Sequence, residues 1–295
     1  GWRASVGWKG RNRARQSEKS RGYALGKILI CGAIAVLLLG VGLYLLSDYV
    51  FQSEPVDCSQ ESVLKVGIVD HLSASQGNET FLEECTALLE EAGFVVDYYP
   101  TEEVTVELYR NLPQHCYSFI LLRVHSASLS SLDPEKNVFD LFTSERYSTT
   151  KYVAEQLDDR VRRCALNTTY NPYEEGDPTF FGITHNFVRH SMKGEFYNTV
   201  VIMMGCDGMQ RTEMARAFVS EGVKAYIGWN DLVTAPHTDN ATIHLLEQFV
   251  EQGQTLKETV IATMDEVGAD PDYGSVLLYY PAGSADCTMD DILTP

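Results

Sequence analysis

Residues 199–208 read TVVIMMGCDG, and this sequence is the strongest indication of the fold class. A short apolar run that stops at a glycine-containing turn is typical of a strand buried on both faces. A helical pattern over residues 210–221 follows and ends at Gly222, and a second apolar run, KAYIG, occupies residues 224–228. The order strand, helix, strand predicts two parallel neighbours in one sheet, because parallel strands need such a crossover.

The same alternation extends over the rest of the chain. It predicts strands at residues 64–69, 94–99, 117–124, 199–204, 224–228 and 275–280. It predicts helices at residues 80–92, 104–112, 149–164, 210–221, 240–252 and 256–267. We therefore predict an α/β fold, with a mainly parallel sheet sandwiched by helices.

Two chemically reactive side chains follow apolar strands. His125 comes directly after the third predicted strand, and Cys206 comes directly after the fourth. Working residues of open α/β sheets lie at the carboxyl ends of strands, and a Cys–His pair can serve as nucleophile and base. Each residue alone is more often structural, but together they favour a catalytic dyad. The glycine before Cys206 would admit a substrate, and the amides of Cys206 and Ser126 could form an oxyanion hole.

These motifs resemble the caspase-like (clan CD) cysteine peptidases, which include caspases, gingipains, legumains, separases and CHAT domains. The likeness is closest to CHAT and gingipain-like members. It rests on VVIMMGCDGM at residues 200–209, ARAFVSEGVKAYIGWNDLVT at 215–234 and LLEQFVEQGQTLKETVIATM at 245–264. It spans residues 63–281, although its specific part is confined to residues 117–126 and 199–267.

The resemblance implies roles for individual residues. His125 would be the general base and Cys206 the nucleophile. Ser126 stands where the family commonly has glycine, so its side chain would crowd the oxyanion hole. The substrate-binding residues would be Gly205, Asp207, Trp229 and Asp231. An acid at position 231 would favour Lys or Arg at the P1 position of a peptide, unless it only caps the next segment or faces solvent.

The N-terminal part predicts a membrane anchor. Residues 28–46 form an uncharged run of 19 residues, long enough to cross a bilayer as a helix. Residues 1–27 contain eight basic residues and one acid, so the positive-inside rule predicts a cytoplasmic tail and a single-pass anchor in the cell membrane. The alternative is a cleaved signal peptide, which would have a shorter apolar region and a small-x-small cleavage site. Residues 47–62 would then be a stalk, and residues 63–295 an extracytoplasmic domain.

The charge of the outer part limits its partners. Residues 28–295 contain 15 basic and 40 acidic residues, a net charge of −25. This excess excludes nucleic acid as a partner, because phosphate binding needs the opposite sign. The expected partners are a peptide or protein substrate near the membrane surface and the lipid bilayer around residues 28–46. No cofactor is expected, except that residues 174–177 (EEGD) could bind Ca²⁺.

If the domain is extracytoplasmic, we expect it to carry N-linked glycans and disulfide bonds. Asn78, Asn167 and Asn240 begin glycosylation sequons. Cys58 and Cys287 lie near the two ends of the domain, which often meet in space, and they are the predicted disulfide pair. Connectivity cannot be read from spacing alone.

Two functions from different classes remain open. The first is a membrane-anchored extracytoplasmic cysteine peptidase that uses His125 and Cys206. The second is a catalytically inactive caspase-like ectodomain that binds a partner or builds a surface structure.

Overall fold

The computed structural model describes residues 36–40, 56–128, 139–165 and 178–293. The chain divides into two compact units, Gly1–Glu54 and Pro55–Pro295. In the first unit, residues 36–40 are helical, and the remainder of the predicted anchor at residues 28–46 lies outside the described residues. Within the parts of the chain that the structure describes, no helix is both long enough and apolar enough to cross a bilayer.

The second unit contains ten strands and eight α-helices in its described residues. The strands are β1 (Lys65–Asp70), β2 (Val95–Tyr99), β3 (Phe119–Arg123), β4 (Ser126–Ser128), β5 (Phe139–Arg146), β6 (Val161–Ala165), β7 (Thr179–Ile183), β8 (Thr199–Met203), β9 (Val223–Trp229) and β10 (Leu277–Tyr280). The helices are α1 (Glu79–Glu91), α2 (Val106–Asn111), α3 (Val153–Leu157), α4 (His185–Ser191), α5 (Glu213–Ser220), α6 (Ala235–Leu246), α7 (Leu256–Val267) and α8 (Met289–Leu293).

Six strands form the main sheet, in the order β10-β9-β8-β3-β1-β2. β1, β2, β3, β8 and β9 pair in parallel, and β10 joins β9 in the antiparallel sense. The prediction of an α/β fold with a mainly parallel, helix-flanked sheet is confirmed. Because β3 lies between β1 and β8, the residues that follow these three strands meet at one edge of the sheet.

The central strands of the main sheet, β1, β3, β8 and β9, are buried on both faces, which explains their continuous apolar runs. Ile120 and Leu122 of β3 pack in one core cluster, and Phe119 and Leu121 pack in the other. The first cluster includes side chains from α2, α4 and α5, and the second includes side chains from α1, α6, α7 and α8. Alternate residues of one strand therefore anchor two different helix layers.

A second sheet, β4-β5-β7-β6, follows directly after His125 and is antiparallel throughout. It overturns part of the helix predicted at residues 149–164. Only Val153–Leu157 is helical there, and Val161–Ala165 is the strand β6. Asp159 has a positive φ of 58°, which ends the helical turn, and pairing with β7 then outweighs the local helical pattern.

The disulfide differs from the predicted pair. Cys58 is bonded to Cys116, which precedes β3, whereas Cys287 is a free thiol. Cys287 is buried in the core cluster that contains α6 and α7 side chains. The predicted pairing of Cys58 with Cys287 is therefore wrong, because proximity of the chain ends did not identify which cysteine lies beside Cys58.

Candidate active site

Three strand ends bring two histidines and a cysteine to one edge of the main sheet. His71 follows β1, His125 lies two residues beyond β3, and Cys206 lies three residues beyond β8. β3 pairs with both β1 and β8, so His125 follows the middle strand of the three. Cys206 is a free, half-buried thiol, His125 is half-buried, and His71 is buried.

The ends of β3 and β8 touch each other at Gly205. A Cβ atom on this glycine would overlap the carbonyl oxygen of Val124 and would lie 2.8 Å from the Ser126 Oγ atom. The Ser126 hydroxyl donates a hydrogen bond to the Cys206 carbonyl over 2.5 Å. Position 205 therefore requires glycine because the chain's own backbone approaches it closely, and the predicted approach of a substrate at Gly205 stays a prediction.

The loop of Cys206 is also hydrogen-bonded to the segment that follows β9. The amide of Met209 donates to the Trp229 carbonyl over 2.7 Å, and the amide of Asp207 donates to the Asp231 carbonyl over 3.0 Å. The Cys206 thiol donates to the Val233 carbonyl with an S···O distance of 3.6 Å. These bonds place the thiol against residues 229–233, where the resemblance locates the substrate pocket.

Burial governs the protonation of both predicted catalytic residues. It raises the pKa of the Cys206 thiol, and the hydrogen bond to the Val233 carbonyl only partly opposes this effect. Burial also lowers the pKa of His125, and the positive charge of Arg123 lowers it further. The two side chains are therefore a neutral thiol and a neutral imidazole at neutral pH. No hydrogen bond joins these two described side chains.

An ionic cluster beneath the site fixes the strand ends. The buried Arg123 guanidinium contacts Asp70 through Nη1 at 2.8 Å and Asp239 through Nε at 2.7 Å. Its Nη2 atom donates to the Gln76 carbonyl over 2.6 Å. Asp70 ends β1, Arg123 ends β3, and Asp239 lies on α6, so this cluster holds three elements together. Removing one charge from such a cluster would leave another buried and unpaired.

His71 is a site residue that sequence reasoning missed. Its ring lies edge-on to that of His125, with ring centroids 5.5 Å apart and an interplanar angle of 81°. The Nδ1 atom is buried and has no hydrogen-bond partner. Burial and the adjacent His125 lower the pKa of His71 to about 4. The available signal was its position, since it follows the first strand much as His125 follows the third.

The predicted substrate-binding residues differ in accessibility. Trp229 is only 1% exposed and its indole donates to the Thr238 hydroxyl over 2.9 Å, so its side chain belongs to the core rather than to a pocket wall. Asp207 is buried in a left-handed turn with φ 58°, and its carboxylate accepts from Gln210. Asp231 is exposed, and its carboxylate accepts from the Leu232 amide over 2.8 Å. Thr234, not Asp231, is the N-cap of the next helix, so of the two alternatives to substrate binding the structure favours the solvent-facing one.

The predicted modification and cation sites fall in three places. Asn78 caps α1 by accepting from the Phe81 amide, and its Nδ2 atom donates to Asp239, so its amide has a structural role. Asn240 is exposed. Asn167 and the candidate Ca²⁺ loop at residues 174–177 lie outside the described residues. Elsewhere, among the described side chains, no three His, Cys, Asp or Glu residues are grouped to hold a metal ion.

Comparison with known proteins gives little further information. No protein-family profile and no curated protein sequence matches the chain. A crystal structure of protein GSU0716 from Geobacter sulfurreducens is similar, with a TM-score of 0.40 and 10% sequence identity over 77% of this chain and 98% of that one.

Proposed function

We propose that this protein is a membrane-anchored extracytoplasmic cysteine peptidase of the caspase-like type. One observation carries the proposal: a free cysteine and a histidine, Cys206 and His125, follow adjacent parallel strands whose ends are in direct contact. The order of the main sheet supports it, because β3 and β8 are central strands, and ligands of open α/β sheets bind beyond the carboxyl ends of such strands.

The proposed chemistry is acyl transfer through a thioester. When a peptide binds, His125 takes the proton of the Cys206 thiol, and the sulfur attacks the carbonyl carbon. The amine leaves with the proton from His125, and the acyl group remains on sulfur. Water then attacks the thioester carbon while His125 accepts a proton from that water, the C–S bond breaks, and His125 returns the proton to the Cys206 sulfur as the acid product leaves. Because both groups begin neutral, the ion pair forms only along the reaction path.

The contact between Cys206 and Val233 suggests how substrate enters. The thiol donates to the Val233 carbonyl, and a peptide that binds along residues 229–233 would compete for this region. The exposed carboxylate of Asp231 lies on the same segment and would attract a cationic P1 side chain. The proposed substrates therefore carry Lys or Arg before the scissile bond and lie near the membrane surface.

The proposed location rests on sequence and on one covalent bond. The basic residues 1–27 would stay in the cytoplasm, residues 28–46 would cross the membrane, and the outer domain would face an oxidising space. The Cys58–Cys116 disulfide supports this location, because such bonds persist mainly outside the cytosol.

Peptide cleavage tests the proposal. Purified full-length chain in detergent is incubated with peptides that are identical except for Lys, Arg or Glu at P1. We expect cleavage after Lys and Arg that is abolished in Cys206→Ala and reduced at least a hundredfold in His125→Ala. Cys287→Ala, which removes another free thiol, should retain activity if it folds. Cleavage that persists in Cys206→Ala would contradict the proposal.

One observation favours the second candidate, an inactive ectodomain. The Cys206 thiol donates to Val233 rather than to His125, and its pKa is raised by burial. A protein that only binds a partner would keep this neutral arrangement permanently. It would cleave no peptide in the panel, and Cys206→Ala would bind its partner as the parent protein does.

A further inference from the structure

The edge-on contact between His71 and His125 has a geometry that packing alone does not require. His71 is 6% exposed, and a buried nitrogen without a hydrogen-bond partner destabilises the folded state. The fold keeps this polar ring where an apolar ring of similar shape would avoid the cost. The unpartnered Nδ1 atom is therefore a candidate for an interaction that forms only during turnover.

The backbone around His71 is held from two sides. The Asp70 carboxylate accepts from the Leu72 amide over 3.0 Å and pairs with Arg123. The His71 carbonyl accepts from the Thr101 hydroxyl over 3.1 Å. These contacts fix the backbone on both sides of the His71 ring, so the ring can serve as a stable support for its neighbour.

His71 also remains uncharged over the pH range in which a peptidase would work. Arg123 is the charged group that acts on His125, and its guanidinium is paired with Asp70 and Asp239 in the buried cluster. Since its pKa is about 4, His71 is a neutral imidazole at neutral pH. With its proton on Nε2, a neutral imidazole has an acceptor lone pair on Nδ1.

We propose that His71 is a positioning residue for His125. Its ring holds the His125 ring edge-on, and its Nδ1 atom accepts a hydrogen bond from an N–H group of His125 when His125 takes the thiol proton. This inference rests on the proposed function. Ring centroids 5.5 Å apart leave a separation at which a small rotation brings two ring nitrogens within hydrogen-bond range. The bond would stabilise the imidazolium and direct its other nitrogen toward Cys206.

Labelling kinetics test this role in the full chain. The probe is a lysyl acyloxymethyl ketone, and its rate of reaction with Cys206 is measured from pH 5 to pH 9. In His71→Phe, which keeps an aromatic ring but removes the acceptor, we expect the maximal rate to fall about tenfold or more. The acid limb of the profile should also move to lower pH, because the His125 imidazolium loses its acceptor.

Two further variants separate positioning from folding. His71→Asn places an amide oxygen near the former Nδ1 position and should restore most of the rate and the acid limb. His115→Phe changes another histidine, which stacks on Tyr117 just before β3, and should leave both unchanged. If His71→Phe lowers only the folded fraction measured by circular dichroism and leaves the acid limb in place, the positioning role is wrong.

The same experiment distinguishes failure of this role from failure of the proposed function. If the parent protein labels at the same rate as His125→Ala, the peptidase proposal fails. If labelling depends on His125 but is identical in the parent protein and in His71→Phe, only the role of His71 fails.

Discussion

Asp140 shows at the scale of one residue how burial creates a pH dependence. It lies on β5, is 3% exposed, and has the Arg162 Nη1 atom 3.7 Å from its Oδ1 atom. Burial raises the pKa of this carboxyl to about 7, although Arg162 and the Cys164 thiol oppose the shift. The folded protein therefore holds a proton that the unfolded chain has lost between about pH 4 and pH 7.

The sign of the linkage gives a prediction for Asp140→Asn. Because the folded state binds the extra proton, the Asp140 contribution to the free energy of unfolding falls as pH rises from about 4 to about 7. The asparagine variant lacks this loss. Its free energy of unfolding relative to the parent protein should therefore rise across this window, by at most about 4 kcal/mol. Urea unfolding at pH 4.5, 6 and 8 measures the difference in free energy of unfolding between the two proteins. The other titrating groups are present in both proteins, so their contributions cancel in this difference.

A neutral buried residue on the same strand supplies the control. Thr143 donates to the Phe181 carbonyl over 2.7 Å, and Thr143→Val should cost the same amount at every pH. A stability difference for Asp140→Asn that is independent of pH would contradict the assignment.

Some features of the candidate site could be predicted from the sequence, and others could not. The placement of His125 and Cys206 near the ends of β3 and β8 was predictable, because each lies within three residues of an apolar strand. The contact between His71 and His125 was not predictable, since it depends on β1 lying next to β3. The order of strands in a sheet cannot be read from the local sequence pattern. The burial of Trp229 was equally hidden, because an aromatic residue at a strand end can face either a pocket or the core.

At the scale of elements, Gly205 sets the approach of β8 to β3. In Gly205→Ala, the added methyl group would overlap the Val124 carbonyl and crowd Met203 and Ser126. We expect the free energy of unfolding to fall by about 3 kcal/mol, because backbone cannot move aside as a flexible side chain can. Chemical denaturation measures the change. Gly283→Ala is the control, since nothing lies within 4 Å of its added methyl group. Equal stability of the two variants would show that the strand ends are not in contact.

Helices and strands were predictable from sequence where a periodic apolar pattern extended over many residues or where a strand was completely buried. The central strands of the main sheet are clear in the sequence because both of their faces are covered. The strands of the second sheet are not, because short strands such as Val161–Ala165 (VRRCA) contain two consecutive arginines and depend on pairing with β7. Gly182 shows this dependence, since a side chain there would overlap the Cys164 sulfur.

At the scale of the whole molecule, a disulfide links the start of the second unit to the segment that precedes β3. Cys58 and Cys116 are 58 residues apart, and a cross-link over such a loop contributes about 4 kcal/mol in the chain-entropy account. The double variant Cys58→Ala/Cys116→Ala should lose about this much in urea unfolding.

Peptide mapping without reduction tests the pairing itself. We expect one linked fragment that contains Cys58 and Cys116, while Cys287 reacts with an alkylating reagent after unfolding. A fragment that links Cys58 to Cys287 would restore the pairing predicted from the chain ends and contradict the one found in the structure.

Covalent labelling of Cys206 shows whether His125 and Cys206 act together. The full chain in detergent is treated at pH 7.5 with a lysyl acyloxymethyl ketone or its glutamyl counterpart, and the labelled residue is located by peptide mass spectrometry. We expect the lysyl reagent to label Cys206 far faster in folded than in unfolded protein. We also expect His125→Ala to remove this advantage and the glutamyl reagent to react slowly. Labelling of folded Cys206 no faster than that of the unfolded thiol, with no effect of His125→Ala, would rule out the proposed dyad.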